Sequence, residues 1–234
     1  MMGVEPVAFD HDGIAYGAAL VRPVGTPRGA VLILPTIANR NEAMDRRARM
    51  LADAGFVAVI GDFYGARAPA DFDAVMQAGR AMMADTPRFR EVLNANLMAA
   101  RQTVPDMPFA TIGFCMGGKA VLELARGGAD MRAAISFHGL LATDCPASGA
   151  IDPVILVCHG DADPMVPRSD VAAFEAEMDA ADAAWQLMVF GGAKHGFTDP
   201  ASDLRDNPAV AYDARADRQS WSAAMLLLDE IFPR

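Results

Sequence analysis

Short apolar runs alternate along the chain with longer stretches of helical spacing. Residues 13–23 (GIAYGAALVRP) read as a strand bounded by Gly13 and Pro23. Gly29-Ala-Val-Leu-Ile-Leu34 is a continuous apolar run closed by Pro35, the pattern of a strand buried on both faces. Residues 41–54 then place Met44, Ala48, Leu51 and Ala52 on one helical face before Gly55 stops the turn. The same reading predicts strands over 56–60, 109–112, 132–137, 154–158 and 185–190. It predicts helices over 71–85, 87–103, 119–126, 168–181 and 212–232. Strands alternating with helices imply βαβ units and a mostly parallel sheet with helices on both faces, an α/β fold.

Composition narrows this picture. The chain has 234 residues, of which 53% are hydrophobic and 21% charged, so it buries a substantial core and is not a disordered polymer. Its length suits one α/β domain spanning 1–234, and the 15 prolines and 20 glycines are scattered rather than gathered in a linker. Thirty acidic against 20 basic residues leave a net charge of −10, which argues against nucleic acid as a partner. The start, MMGVEPVAFDHDG, shows no basic and apolar leader pattern. No apolar run approaches the roughly 18 residues of a membrane span. A cytoplasmic protein with no membrane partner is the expectation, and a homodimer stays open.

Three cysteines, Cys115, Cys145 and Cys158, are too few and too odd in number for a disulfide framework. No Cys-x-x-Cys pair supports a metal site, so no metal is expected. One of the three stands out. Strand 109–112 is followed by Gly113-Phe-Cys-Met-Gly-Gly118 and then a helix, the thiol form of the Gly-x-Ser-x-Gly nucleophile turn. Cys115 then sits at a helix N-terminus, where free N–H groups and the helix dipole favour a thiolate. The N–H of Met116 points to where an oxyanion would form, and Ile37, after strand 29–34, is the candidate for a second donor. A glycine-rich phosphate turn is the competing reading, but neither the Walker nor the dinucleotide spacing is met. Cys158 lies inside a strand and Cys145 in a loop without glycines, so both read as bystanders.

A cysteine nucleophile needs a base, and the base needs an orienting acid. In this architecture the chain order is nucleophile, acid, histidine. Among His11, His138, His159 and His195, only His195 follows both the cysteine and every candidate acid that lies after a strand. His138 and His159 each end a strand before a glycine and read as hydrogen-bonded structural residues. Asp161 and Asp163 compete as the acid in His159-Gly-Asp-Ala-Asp-Pro-Met-Val-Pro167. Asp163 is favoured, with Asp161 capping the turn through its own backbone.

Together Gly-Phe-Cys-Met-Gly-Gly, Gly-Asp-Ala-Asp-Pro-Met-Val-Pro and Lys-His-Gly-Phe resemble the dienelactone hydrolase family of α/β-hydrolases. The likeness runs from about strand 29–34 to the last helix. It implies an α/β-hydrolase fold and a triad of Cys115, His195 and Asp163 with oxyanion donors at Ile37 and Met116. It also implies hydrolysis of a small-molecule ester or lactone through an acyl-thiol intermediate, with no cofactor. Two family features are missing. Thr36 stands where the family carries a glutamate that pairs with the resting thiol, so His195 must activate Cys115 directly. Phe197-Thr-Asp199 fills the stretch where the family carries a carboxylate-recognising arginine. Arg67 is the candidate for another substrate arginine, which makes Thr36, Arg67 and Phe197 the expected pocket residues.

Overall fold

The computed structural model describes residues 3–233. Eight strands follow in chain order: β1 (Val4–His11), β2 (Ile14–Val21), β3 (Gly29–Leu34), β4 (Phe56–Ile60), β5 (Phe109–Phe114), β6 (Ala133–Phe137), β7 (Val154–Gly160) and β8 (Trp185–Phe190). The helices are α1 (Glu42–Asp53), α2 (Phe72–Ala84), α3 (Thr86–Thr103), α4 (Met116–Arg126), α5 (Arg168–Ala180) and α6 (Ala214–Ile231). The strands form one sheet in the order β1-β2-β4-β3-β5-β6-β7-β8. Strands β3 to β8 pair in parallel, while β1 and β2 are antiparallel additions at one edge.

The apolar runs occupy the middle of this sheet. Every residue of β3, β4, β5 and β6 is buried, whereas the edge strands β1 and β8 carry exposed positions. Alternate side chains of β3 divide between two cores: Ala30, Leu32 and Leu34 on one face, Val31 and Ile33 on the other. The first face packs against α3, α4 and α5 through Phe89, Leu93, Val121, Leu124 and Phe174. The second packs against α1 and α6 through Met44, Leu51, Trp221 and Leu228. Helices thus cover both faces, as the alternation predicts.

The structure departs from the sequence reading at three places. Strand β1 was not expected; it pairs with β2 across an Asp12-Gly13 turn, both residues lying at positive φ as a tight hairpin requires. Its Pro6 is tolerated because the strand lies at the sheet edge. Strand β7 continues past Cys158 to Gly160. Strand β5 runs on through Gly113 to Phe114, and α4 begins at Met116 rather than Lys119.

That last difference has a steric cause. Cys115 alone makes the turn between strand and helix, with φ 56° and ψ −116°. The chain folds back so tightly that a Cβ on Gly113 would collide with the Gly117 carbonyl, and one on Gly117 with the Leu34 carbonyl. Gly117 therefore belongs to the first turn of α4 and does not break it. Replacing a helical glycine by alanine ordinarily stabilises by up to about 1 kcal/mol. At Gly117 the sign reverses: Gly117→Ala is expected to lower the urea midpoint by an amount equivalent to about 1–3 kcal/mol. A raised midpoint would contradict this packing.

Candidate active site

The residues singled out in the sequence converge beyond the carboxyl ends of the parallel strands. Ile37 follows β3, Cys115 follows β5, Asp163 follows β7 and His195 follows β8. This is where open α/β sheets place their sites. The Sγ of Cys115 lies 3.0 Å from Nε2 of His195, and Nδ1 of His195 lies 2.7 Å from Oδ2 of Asp163. The second carboxylate oxygen of Asp163 accepts the N–H of Met165 at 2.9 Å, which fixes the acid in its turn. His195 is fixed through its backbone: its N–H donates to Ala209 and its carbonyl accepts from Ala211. Asp161 lies apart. Its carboxylate pairs with Arg168 on the surface, at 2.9 and 2.8 Å, rather than capping its own turn.

Electrostatics couples the thiol to the imidazole. Burial opposes ionisation of Cys115, but His195 and the N–H groups of Met116 and Ile37 outweigh it, and the thiol pKa is lowered. Burial likewise disfavours a charged His195, yet Cys115 and the Asp163 carboxylate push its pKa up to about 10. Both shifts favour a thiolate–imidazolium pair. The N–H groups of Met116 and Ile37 both favour the charged sulfur.

Tyr64 and Asp62 support this pair of donors, and sequence reading passed over both. Burial pushes the Tyr64 phenol up to about 12, so it stays neutral and donates its O–H to the Ile37 carbonyl at 2.8 Å. Oδ1 of Asp62 accepts from Asn39 Nδ2 and from the N–H groups of Tyr64 and Gly65, tying the loop after β3 to the loop after β4. The acid lies in Gly61-Asp-Phe-Tyr-Gly65 directly after a strand, the one sequence cue to its place.

A cleft of about 960 Å³ opens onto Cys115 and His195. Its walls are mostly apolar, with Ile37, Phe72, Met76, Met83, Leu140 and Met165 among them, and besides the imidazole and thiol the charged side chains on them are Arg80, Arg205 and Asp206. The three expected pocket residues do not line it. Thr36 is half-buried and its hydroxyl accepts the N–H of Ala38 at 3.3 Å, closing a turn. Arg67 is exposed on a single 3-10 turn that packs beside β2. Phe197 is fully buried behind the imidazoles, 5.2 Å from the His138 ring. Arg80 continues the apolar stripe Phe72, Met76 and Met83 on α2, so helical spacing held a cue to its place. Arg205 lies in a loop where no periodicity could locate it.

The remaining candidates are also placed. Cys158 is fully buried and burial pushes its thiol up to about 12, while Cys145 is half-buried in its loop; all three cysteines are free. His159 is buried and lowered in pKa by burial, against the pull of Asp163 and Asp161. The expectation that it is a hydrogen-bonded structural residue fails at Nδ1, which is buried with no partner among the described residues. Among the described residues one trio, His11, Asp12 and Glu91, brings potential metal ligands together; Arg88 already pairs with both carboxylates. No helix among the described residues is long and apolar enough to cross a membrane.

The charge pair makes a direct prediction. The Cys115 thiol should be alkylated by iodoacetamide at neutral pH faster than a free thiol, with the rate falling only as acid protonates the thiolate. In His195→Ala the thiol loses its cationic partner, so the profile should move to higher pH and the rate at pH 7 fall about tenfold or more. An unchanged profile would contradict the pairing.

Comparison with known proteins gives the family. The model of the dienelactone hydrolase family matches residues 16–232. A probable 2-oxo-3-(5-oxofuran-2-ylidene)propanoate lactonase of Bradyrhizobium is 29% identical, with 97% of this chain and 96% of the relative covered. A mouse carboxymethylenebutenolidase homolog is 25% identical, with 64% of this chain and 62% of the relative covered. The crystal structure of a dienelactone hydrolase-like promiscuous phosphotriesterase from metagenomic libraries superposes with a TM-score of 0.91 at 32% identity, covering 99% of both chains. The chain belongs to the dienelactone hydrolase family and is a hydrolase of the carboxylic-ester type.

Proposed function

We propose that this chain is a single-domain cysteine hydrolase of carboxylic esters or lactones, working through an acyl-thiol intermediate. The observation that carries the reading is the line from Cys115 Sγ through the His195 imidazole to Asp163, with steps of 3.0 and 2.7 Å. In the resting site His195 holds the proton and Cys115 is the thiolate. The sulfur attacks the substrate carbonyl carbon, and the carbonyl electron pair moves to oxygen. The N–H groups of Ile37 and Met116 hold that oxyanion; a donor of this kind is worth about 3–4 kcal/mol in comparable sites. When the tetrahedral species collapses, the carbon–oxygen bond breaks and His195 passes its proton to the leaving alkoxide. A water, deprotonated by His195, then attacks the thioester. The acid leaves, the thiolate returns, and the imidazole is again protonated. Asp163 orients the ring throughout and balances its charge. These steps need side chains, backbone N–H groups and water alone.

The cleft suggests the substrate's shape. Apolar walls fit a hydrocarbon body, and Arg80 and Arg205 fit an anionic group; among the described residues neither forms an ion pair. The Bradyrhizobium relative is named for a lactone that carries such an anion, which supports the same reading.

An ester and lactone panel tests both parts. Cys115→Ala should lower turnover of an activated aryl ester by about ten-thousand-fold; turnover at the wild-type level would sink the proposed nucleophile. Arg80→Ala and Arg205→Ala should each raise KM for a carboxylate-bearing ester by about tenfold, with little effect on a neutral one. Equal effects on both substrates would remove the anion from the reading.

A further inference from the structure

Behind the triad lies a second imidazole. His138 follows β6 at φ 41°, in the left-handed region, and only 2% of it is exposed. Its Nδ1 accepts the backbone N–H of Cys115 at 3.2 Å, a donor shared with the Phe137 carbonyl at 3.0 Å. Its Nε2 lies 2.8 Å from the hydroxyl oxygen of Thr198. Its ring meets the His195 ring edge to face, with centroids 5.2 Å apart and planes at 68°. Because Nδ1 accepts, the hydrogen-bond pattern assigns the proton to Nε2, which donates to Thr198.

The contacts continue away from the nucleophile. The Thr198 carbonyl accepts from Arg46 and Arg47, at 3.0 and 3.4 Å. Arg47 is buried in α1 and pairs with Asp217 of α6. The peptide at Cys115 is therefore tied through His138 and Thr198 to the helices on the far face of the sheet. A residue other than glycine at φ 56° is strained and keeps that conformation only where its surroundings hold it.

We propose that His138 is a positioning residue: as the neutral Nε2–H tautomer it holds the strained Cys115 turn and supports the His195 ring. The inference rests on the triad reading above. An imidazole suits this place better than a phenyl ring because it accepts one hydrogen bond and donates another. It must also stay uncharged. Protonation would remove the acceptor for Cys115 N–H and put a second cation against His195. Burial foremost, then the positive charges of His195, Arg47 and Arg205, hold its pKa well below the ordinary histidine value.

Three variants test the assignment, with an activated aryl ester for kinetics and iodoacetamide for the Cys115 alkylation profile. His138→Phe keeps the ring and loses both hydrogen bonds. It should lower kcat about 10–100-fold with KM within about twofold, and shift the alkylation profile to higher pH. His138→Asn places an amide oxygen where Nδ1 was and is at ease at positive φ; it should regain about fivefold or more over His138→Phe. Thr198→Val removes the acceptor for Nε2–H and should fall between wild type and His138→Phe. If His138→Phe does not fold, the comparison of His138→Asn and Thr198→Val with wild type decides. Wild-type kcat and alkylation in these two, or in His138→Phe, would overturn the proposal. So would His138→Asn being no better than a folded His138→Phe. Failure of the triad reading is distinct: there, Cys115→Ala itself remains active.

Discussion

Close packing at one turn governs the site. Strand β5 becomes α4 across the single residue Cys115, and the space for that reversal exists only because Gly113 and Gly117 carry no side chains. The result is a thiol lifted clear of the sheet, at the N-terminus of a helix and within 3.0 Å of the His195 imidazole. The other strand ends then need only deliver groups to that point. The loop after β3 brings the Ile37 N–H, the loop after β7 brings Asp163, and the loop after β8 brings His195. Their arrival at one place is a property of the parallel sheet, whose carboxyl ends all face the same way.

Two opposing terms set the state of the thiol. Burial favours the neutral thiol and the neutral imidazole, since each charge alone would lose its water. The pair together removes that penalty, because each charge supplies the other's counterion at hydrogen-bond distance. Asp163 adds a third charge that favours the imidazolium, and the N–H groups of Met116 and Ile37 add donors that favour the thiolate. His195 contacts the sulfur directly, so the pair needs no further charged side chain between them.

Much of this was legible in the sequence, and for a physical reason. Strands buried on both faces have little choice but to be almost continuously apolar, so β3 (GAVLIL) and β4 (FVAVI) announce themselves. A nucleophile turn needs glycines at fixed offsets, so Cys115 stood out from Cys145 and Cys158. What escaped depends on tertiary placement. Strand β1 alternates weakly and contains Pro6, which only an edge position permits. Gly117 and Gly118 look like helix breakers until the Leu34 carbonyl and Gly139 are packed against them. Arg67 and Phe197 do not line the cleft, and Arg205 reaches it from a loop, since no periodicity governs where loops carry their side chains.

The proposed mechanism turns on one covalent event, the transfer of an acyl group to the Cys115 sulfur. Rapid acid quenching during turnover of an activated aryl ester, followed by mass spectrometry of the intact chain and its peptides, observes that event directly. The expected result is a mass increase equal to the acyl group, located on the peptide that carries Cys115 and discharged by hydroxylamine as a thioester should be. Acylation of a different residue, or steady turnover with no acyl adduct under conditions where deacylation is slowed, would contradict it.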